Sequence, residues 1–298
     1  MSFTKTSLFI AASAAIAGQP LMAQSYQGTG AAAGETGEVS GPVERPETVF
    51  DGDWVSVGIG AAYSPSYDGS DDYVVSVLPI VQGSVGGVDF NPRPGGLAVD
   101  FIPDAEDGPG LDLGVAARIR RSRASQIKDP VVKSLGELDT AIEVGPTAGI
   151  SLPALLNPYD SLSFNVDVRW DVAGAHDGMV IDPSVTYFTP LSRGAIASLT
   201  LGAEYADDSY SDYYFSVDAA GSAVSGLPQF QADGGFTKAS ATMLLGYDLD
   251  GDATNGGLAL VGIGGYSRML GDAKNTPFTS IRGDADQWFV AVGVGYTF

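Results

Sequence analysis

The feature that most constrains this chain is a strict alternation of apolar and polar side chains over unusually long segments. In the segment LSFNVDVRW, every even-numbered residue from Leu162 to Trp170 is apolar, and the residues between them are polar. The segments LDLGVAARIR, from Leu111, and AIASLTLGAEY, from Ala195, show the same pattern. Because successive side chains of a β-strand point to opposite faces, the alternation predicts strands with one apolar face.

Strand length and aromatic placement separate a membrane barrel from a soluble β-sandwich, whose strands also alternate. The segments run for about 10 to 13 residues, whereas strands of globular proteins usually have about 5 or 6. Tyrosine, tryptophan and phenylalanine lie near their ends, as in the aromatic girdles of outer-membrane barrels. The opposite face carries charge and glycine, which fits a wet or tightly filled lumen. These features favour a barrel in lipid.

Turn residues between the alternating segments divide the chain into twelve strands, an even number as in bacterial single-chain barrels. With both ends in the periplasm, the outward connections are 64–72, 121–139, 172–179, 206–236 and 271–286, and the inner turns are shorter. The predicted fold is an all-β, transmembrane, antiparallel up-and-down barrel of about 12 strands, in the cell outer membrane of a Gram-negative bacterium. The predicted strands are 53–63, 73–82, 86–91, 96–102, 111–120, 140–151, 161–171, 180–190, 195–205, 237–249, 257–270 and 287–298.

The chain divides into three parts. Residues 1–23 combine Lys5, a short apolar stretch and small residues before Gln24, the pattern of a secretory signal peptide. Residues 24–50 contain almost no large apolar side chains, which predicts a flexible leader. Residues 51–298 form the barrel domain. A formal net charge of −21 argues against a nucleic-acid partner, although basic residues cluster between Arg118 and Lys133. This cluster is interpreted either as a solvated loop or as a functional patch.

The chain closes on AVGVGYTF, in which Tyr296 and Phe298 share the apolar face of the last strand. Outer-membrane barrels commonly end on phenylalanine in this register, so we interpret Tyr296 and Phe298 as a signal for the barrel assembly machinery. By the same alternation Val292 faces lipid and Ala291 faces the lumen. Arginine at Ala291 is therefore expected to be tolerated if the lumen is wet.

Alternation also predicts which charges face the lumen: Arg118, Arg120, Asp167 and Arg169. They would either line a polar pore or cross-link a plugged interior. The longest outer connection contains an apolar stretch, and we expect Tyr213, Tyr214 and Phe215 to pack across the barrel mouth, with Ser222–Pro228 forming a short turn above them.

No catalytic residue, cofactor or metal site is predicted. The single histidine, His176, is expected to be exposed in an outer loop without a serine beside it. Asp248, Asp250 and Asp252 begin a calcium-loop pattern, but Ala253 and Ala259 replace the required glycine and glutamate, which favours a polar turn. The acidic loop at Asp68 could bridge lipopolysaccharide through a divalent cation, but an ordinary turn is favoured.

Three stretches resemble the MipA/OmpV family of outer-membrane proteins: GAAYSPSYDGSDDYVVSVLPI at 60–80, YYFSVDAAGSAVSGLPQFQADGG at 213–235, and YSRMLGDAKNTPF at 266–278. Ser216 departs from the glycine more usual there, and the terminal Gly-Tyr-Thr-Phe fits. The resemblance implies a non-enzymatic barrel among outer-membrane lipid and lipopolysaccharide. It further implies a scaffold that binds a lytic transglycosylase and a murein synthase, with a porin-like channel for small solutes as the alternative.

Overall fold

The computed structural model describes residues 48–103 and 108–298. Twelve strands in this part of the chain form a closed antiparallel barrel in which each strand pairs with its sequence neighbours and β1 pairs with β12. The predicted fold class and strand number are confirmed. The signal peptide and all but the last residues of the leader lie outside the described residues. The strands are β1 (Trp54–Pro65), β2 (Tyr73–Val85), β3 (Val88–Arg93), β4 (Gly96–Asp100), β5 (Gly110–Arg120), β6 (Ala141–Pro153), β7 (Ser161–Asp171), β8 (Met179–Ser192), β9 (Ala195–Ala206), β10 (Gly235–Asp248), β11 (Gly257–Met269) and β12 (Asp286–Thr297).

The outer surface of the barrel carries the apolar faces of the alternating strands. In β12, Val290, Val292 and Val294 are 54%, 64% and 42% exposed, whereas Ala291 between them is 2% exposed. Aromatic pairs mark both rims, with Tyr266 against Trp288 at one end and Tyr296 against Phe298 at the other. The assignment of faces from the alternation is confirmed.

Apolar side chains fill the lumen beside β1, β2, β10, β11 and β12. Ala62, Leu78, Leu244, Ile263 and Ala291 form a buried cluster there. Glycines bring the first and last strands close together, since Gly60 pairs with Gly293. A Cβ at Gly60 would lie 2.6 Å from the Val292 carbonyl oxygen, so a larger residue would force the strands apart.

The long connections 66–72, 121–140, 172–178, 207–234 and 270–285 all lie at one end of the barrel. Since outer loops are long and periplasmic turns short, this end faces outward. The outer loops contain five short helices: α1 (Pro130–Ser134), α2 (Asp208–Phe215), α3 (Ala219–Ser225), α4 (Gly271–Asn275) and α5 (Pro277–Ser280). Among the described residues, no helix is both long and apolar enough to cross a membrane.

Aspartates begin the helices of the longest loop. The Asp207 carboxylate accepts a hydrogen bond from Tyr210 N, and Asp218 accepts one from Gly221 N, which satisfies exposed amides at the two helix starts. Gly226 ends α3 with a φ of +74°, a conformation that favours glycine. The predicted turn at Ser222–Pro228 is therefore wrong in its first half, which is helical. The turn is centred on Gly226.

Candidate functional site at the capped outer mouth

The outer loops pack together into an apolar cap over the barrel. Tyr210, Tyr214 and Phe215 on α2 are 0%, 1% and 2% exposed, and Phe215 stacks on Phe278 of α5 at 6.4 Å. Tyr213 lies at the edge of the cap, where its hydroxyl accepts a hydrogen bond from Asp139 N at 2.8 Å. The three residues Tyr213, Tyr214 and Phe215 thus lie together on one helix.

A layer of charged side chains lies directly beneath the cap. Arg120 donates from Nε to Glu143 at 2.6 Å and from Nη2 to Glu204 at 2.8 Å. Arg118 reaches the same Glu204 oxygen at 3.1 Å. Because Arg118 and Arg120 belong to β5 and Glu204 to β9, these ion pairs cross the lumen. The guanidinium of Arg120 also lies 4.7 Å from the Tyr210 ring centroid, which joins the layer to the cap.

The other half of the layer is centred on Arg169. Its guanidinium binds Asp167 at 3.0 Å and also forms an ion pair with Asp182. Arg93, the last residue of β3, binds Asp167 at 3.1 Å. The structure therefore brings all four of the lumen charges singled out from the sequence into one network. The network also contains four residues that were not predicted: Arg93, Glu143, Asp182 and Glu204. The alternation within β6, β8 and β9 could have identified the last three as residues that face the lumen.

His176 is buried, so the expectation of an exposed loop histidine is wrong. It is 4% exposed, and its Nε2 lies 3.5 Å from Glu143 Oε1. The Asp171 carboxylate causes this by accepting backbone hydrogen bonds from Ala173, Ala175, His176 and Asp177, which folds the loop inward. His176 Nδ1 accepts a hydrogen bond from Gly178 N, and Tyr210 covers the ring.

The basic stretch that begins at Arg118 is only partly a solvated loop. Arg123 is 4% exposed and lies over Phe278 at 4.8 Å. Burial lowers the pKa of Arg123 to about 10. Lys128, by contrast, is at the surface and donates to Tyr73 O. The solvated interpretation is therefore wrong for Arg118, Arg120 and Arg123.

The acidic loops form turns. In the inner turn Asp248, Asp250 and Asp252 accept backbone hydrogen bonds from one another and from Thr254. Hydrogen bonds from Arg193 and Thr254 lower the pKa of Asp252 to about 2. No group of three or more metal-ligating side chains occurs within residues 48–103 and 108–298.

A cavity of about 390 Å³ lies between the cap, the charged layer and the barrel wall. Tyr67 of the first outer loop lies on its wall, and burial raises the pKa of this phenol to about 12, so it remains a hydroxyl at neutral pH. The cavity has six basic and four acidic side chains around it: Arg93, Arg118, Arg120, Arg121, Arg169 and Lys238, and Asp68, Asp167, Asp182 and Glu204.

Comparison with known proteins gives one family match. A family model described as MltA-interacting protein MipA matches residues 57–298. No curated protein is significantly similar in sequence. Among solved structures, an outer-membrane channel from Pseudomonas putida F1 is 13% identical, with 83% of this chain and 96% of that chain covered and a TM-score of 0.45. The outer-membrane protein OprD from Pseudomonas aeruginosa is 12% identical (82% and 65% covered, TM-score 0.34). The toluene transporter TbuX from Ralstonia pickettii is 10% identical (83% and 89% covered, TM-score 0.35).

Proposed function

Because the chain belongs to the MltA-interacting protein MipA family, we propose that this outer-membrane barrel is a non-enzymatic interaction protein that binds peptidoglycan-remodelling enzymes from the periplasmic side. The family description supports a lytic transglycosylase as one partner. The sequence resemblance adds a murein synthase, so that the barrel would hold the two enzymes together at the membrane.

The observation that carries the proposal is the packing of side chains at two levels of the outer mouth. The cap is apolar and aromatic, and below it the ion pairs from Arg118 and Arg120 to Glu204 cross the lumen. An ion pair with both partners buried holds its geometry, because separating it leaves uncompensated buried charge. A mouth built in this way favours a function in which the barrel surface binds partners over one in which solutes diffuse freely through the barrel.

The periplasmic end offers an ordered surface for a partner. In the turn between β6 and β7, Leu155 and Leu156 are 49% and 77% exposed. The buried carboxylate of Asp160 accepts hydrogen bonds from the backbone N–H groups of both leucines and from the Tyr187 hydroxyl. Exposed apolar side chains on a fixed turn suit a protein partner, since little further ordering is needed when they are buried.

The surroundings of the single histidine support a non-enzymatic role. His176 Nε2 faces Glu143, and the cap packs Tyr210 and Tyr214 against its ring. A histidine that serves as a general base must reach a nucleophile and a substrate. In this position His176 is sealed between a carboxylate and two phenols.

The test is photocrosslinking from opposite ends of the barrel in cells. A photoreactive residue at Leu156 reports on the periplasmic turn, and the matched control is Val224 on α3, which is 65% exposed at the outer end. We expect a lytic transglycosylase or a murein synthase to be captured from Leu156 and not from Val224. Capture of neither enzyme from Leu156 would contradict the proposal.

The alternative is a porin-like channel for small solutes, which the charged cavity behind the cap favours. Conductance across planar bilayers separates the two functions. The purified barrel is expected to show almost no conductance if the mouth stays closed. Steady single-channel conductance without any partner, together with failed capture at Leu156, would establish the channel instead.

A further inference from the structure

The barrel wall is not closed evenly along its height. β2 pairs with β3 only through Gly83–Phe90, Ser84–Asp89 and Val85–Val88, at the periplasmic end. Along the rest of β2, from Tyr73 to Gln82, the edge away from β1 has no strand partner among the described residues. Pro79 lies in this stretch, and a proline, which lacks a backbone N–H, is suited to an unpaired edge.

This unpaired edge lies at the depth of the hydrocarbon. The outward side chains Val75, Val77 and Val81 are apolar and 67%, 48% and 48% exposed, as expected for residues that contact lipid tails. Backbone groups without partners do not persist against lipid tails unless they are covered by protein or line a polar cavity. The open stretch of β2 therefore needs a polar space beside it.

The cavity behind the cap supplies that space for the outer part of the stretch. Val74 and Ser76 of β2 line it on one side, and Pro94 and Gly95, at the tip of the β3–β4 hairpin, line it on the other. The loop from Ser122 to Gln126 lies above, and Lys128 just beyond it donates to the β2 edge at Tyr73 O. These elements frame an opening in the wall, which we call the side window. It lies between the cavity and the outer part of the membrane-facing wall.

The cavity inside the side window has the chemistry of an anion site. Its lining carries more basic than acidic side chains, although the whole chain has a formal net charge of −21. Arg120 is 3% exposed, yet its Nη1 has no hydrogen-bond partner among the described residues. The Asp68 carboxylate lies near it, with Oδ2 at 3.8 Å from Nη1 and Oδ1 at 3.6 Å from Lys238 Nζ. Both distances exceed a hydrogen bond, so Asp68 lies loosely between the two cations.

We propose that the side window admits an anionic amphiphile from the outer leaflet. Its phosphate or carboxylate headgroup binds between Arg120 Nη1 and Lys238 Nζ and displaces Asp68, while its alkyl chain leaves through the side window along β2. Charge-assisted hydrogen bonds from a buried guanidinium are the strong class, and they hold the headgroup. The inference goes beyond the proposed function and does not depend on it, since it involves neither the periplasmic turns nor any enzyme.

The first experiment is a calorimetric titration of the full-length protein in a neutral maltoside detergent with dodecyl phosphate. Asp68→Asn removes the internal carboxylate and keeps its shape, so we expect dodecyl phosphate to bind about tenfold more tightly, because a like charge a few ångströms away is removed. The control is Asp71→Asn in the same loop, which is expected to leave binding unchanged. Lys238→Gln is expected to weaken it about tenfold. A gain in affinity cannot come from misfolding, so unchanged or weaker binding by Asp68→Asn overturns the proposal.

The second experiment distinguishes a lipid headgroup from a free anion. Inorganic phosphate is titrated under the same conditions, and a dodecyl phosphate with a diazirine at the chain end is photolysed on the protein in phospholipid vesicles. We expect weak binding of inorganic phosphate and crosslinks concentrated at 74–77 and 94–95. Equal affinity for inorganic phosphate and dodecyl phosphate would show that the site binds free anions and that the alkyl chain contributes nothing. Crosslinks spread evenly over the lipid-facing surface would rule out the side window as the path of the chain.

Discussion

Replacing Val292 with arginine tests where the bilayer midplane crosses the last strand. β12 runs from Asp286 to Thr297, so Val292 stands at its centre, and its side chain is 64% exposed to lipid. Arginine on the lipid face of such a barrel costs about 2–4 kcal/mol at the midplane and about 0–1 kcal/mol near an interface. We expect Val292→Arg to lower the free energy of unfolding by about 2–4 kcal/mol. Leu258→Arg, at the periplasmic start of β11, should cost about 1 kcal/mol or less.

The neighbouring residue, Ala291, tests the lumen at the same depth. The alternation predicts that arginine is tolerated here if the lumen is wet, but the structure packs Ala291 among Leu78, Leu244 and Ile263. Overpacking such a site costs about 1–3 kcal/mol, and a buried charge without a partner costs several kcal/mol more. We therefore expect Ala291→Arg to be more damaging than Val292→Arg, for a different reason.

The assay is equilibrium unfolding in guanidinium chloride from phospholipid vesicles, followed by tryptophan fluorescence and by the shift between folded and unfolded bands on a gel. Val292→Leu and Ala291→Ser are the matched controls, and both are expected to stay close to the parent. A cost at Ala291 that is clearly smaller than the cost at Val292 would show a hydrated lumen at this depth. Costs below about 1 kcal/mol at both positions would refute the assignment of faces.

Three further predictions concern the mouth, the outer loops and assembly. Glu204→Gln removes a buried counter-charge from Arg118 and Arg120, so the free energy of unfolding should fall by about 3 kcal/mol and conductance across planar bilayers should rise. A variant that shows no conductance and keeps the stability of the parent would contradict the role of these ion pairs at the mouth. Burial alone would raise the pKa of Asp129, but hydrogen bonds from Arg282 and from Val132 N outweigh it and hold this pKa below its usual range. The stabilisation of the loop by the Asp129 carboxylate is thus present above about pH 4 and is lost as the pH falls through the lowered pKa. Protease cleavage of the loop should therefore increase at low pH in the parent, and it should change little with pH in Asp129→Asn. Deleting Phe298, which is 67% exposed, should reduce the amount of barrel in the outer membrane while the refolded protein keeps its unfolding midpoint; normal assembly in cells would remove its role as a signal.

The strands were predictable because alternation is a local property. A residue such as Val292 points to lipid or to the lumen according to its place in its own strand, and closure follows once every strand has one apolar face. The same local rule puts Arg118, Arg120, Asp167 and Arg169 on the inner wall. The sequence was therefore sufficient to predict which residues line the inner wall.

The contacts within the lumen were not predictable, because they depend on strand positions around the barrel. Arg120 meets Glu204 only because β5 and β9 face each other across a narrow lumen. His176 is buried because Asp171 gathers four backbone amides, and no periodic pattern announces that turn. The helices of the longest loop did have a local signal, since Asp207 and Asp218 are good residues for a helix start.

The side window follows from a mismatch of lengths rather than from any motif. β2 spans Tyr73–Val85, whereas β3 and β4 span only Val88–Arg93 and Gly96–Asp100, so the hairpin beside β2 ends before β2 does. A barrel made only for mechanical closure would extend this hairpin and pair the whole edge, since an open edge in lipid is costly. Here the unpaired edge borders the part of the described wall where buried arginines collect, while the outer loops pack into an apolar cap above. A cap at the mouth and an unpaired edge at the side together favour entry of a ligand from the membrane over passage along the barrel axis.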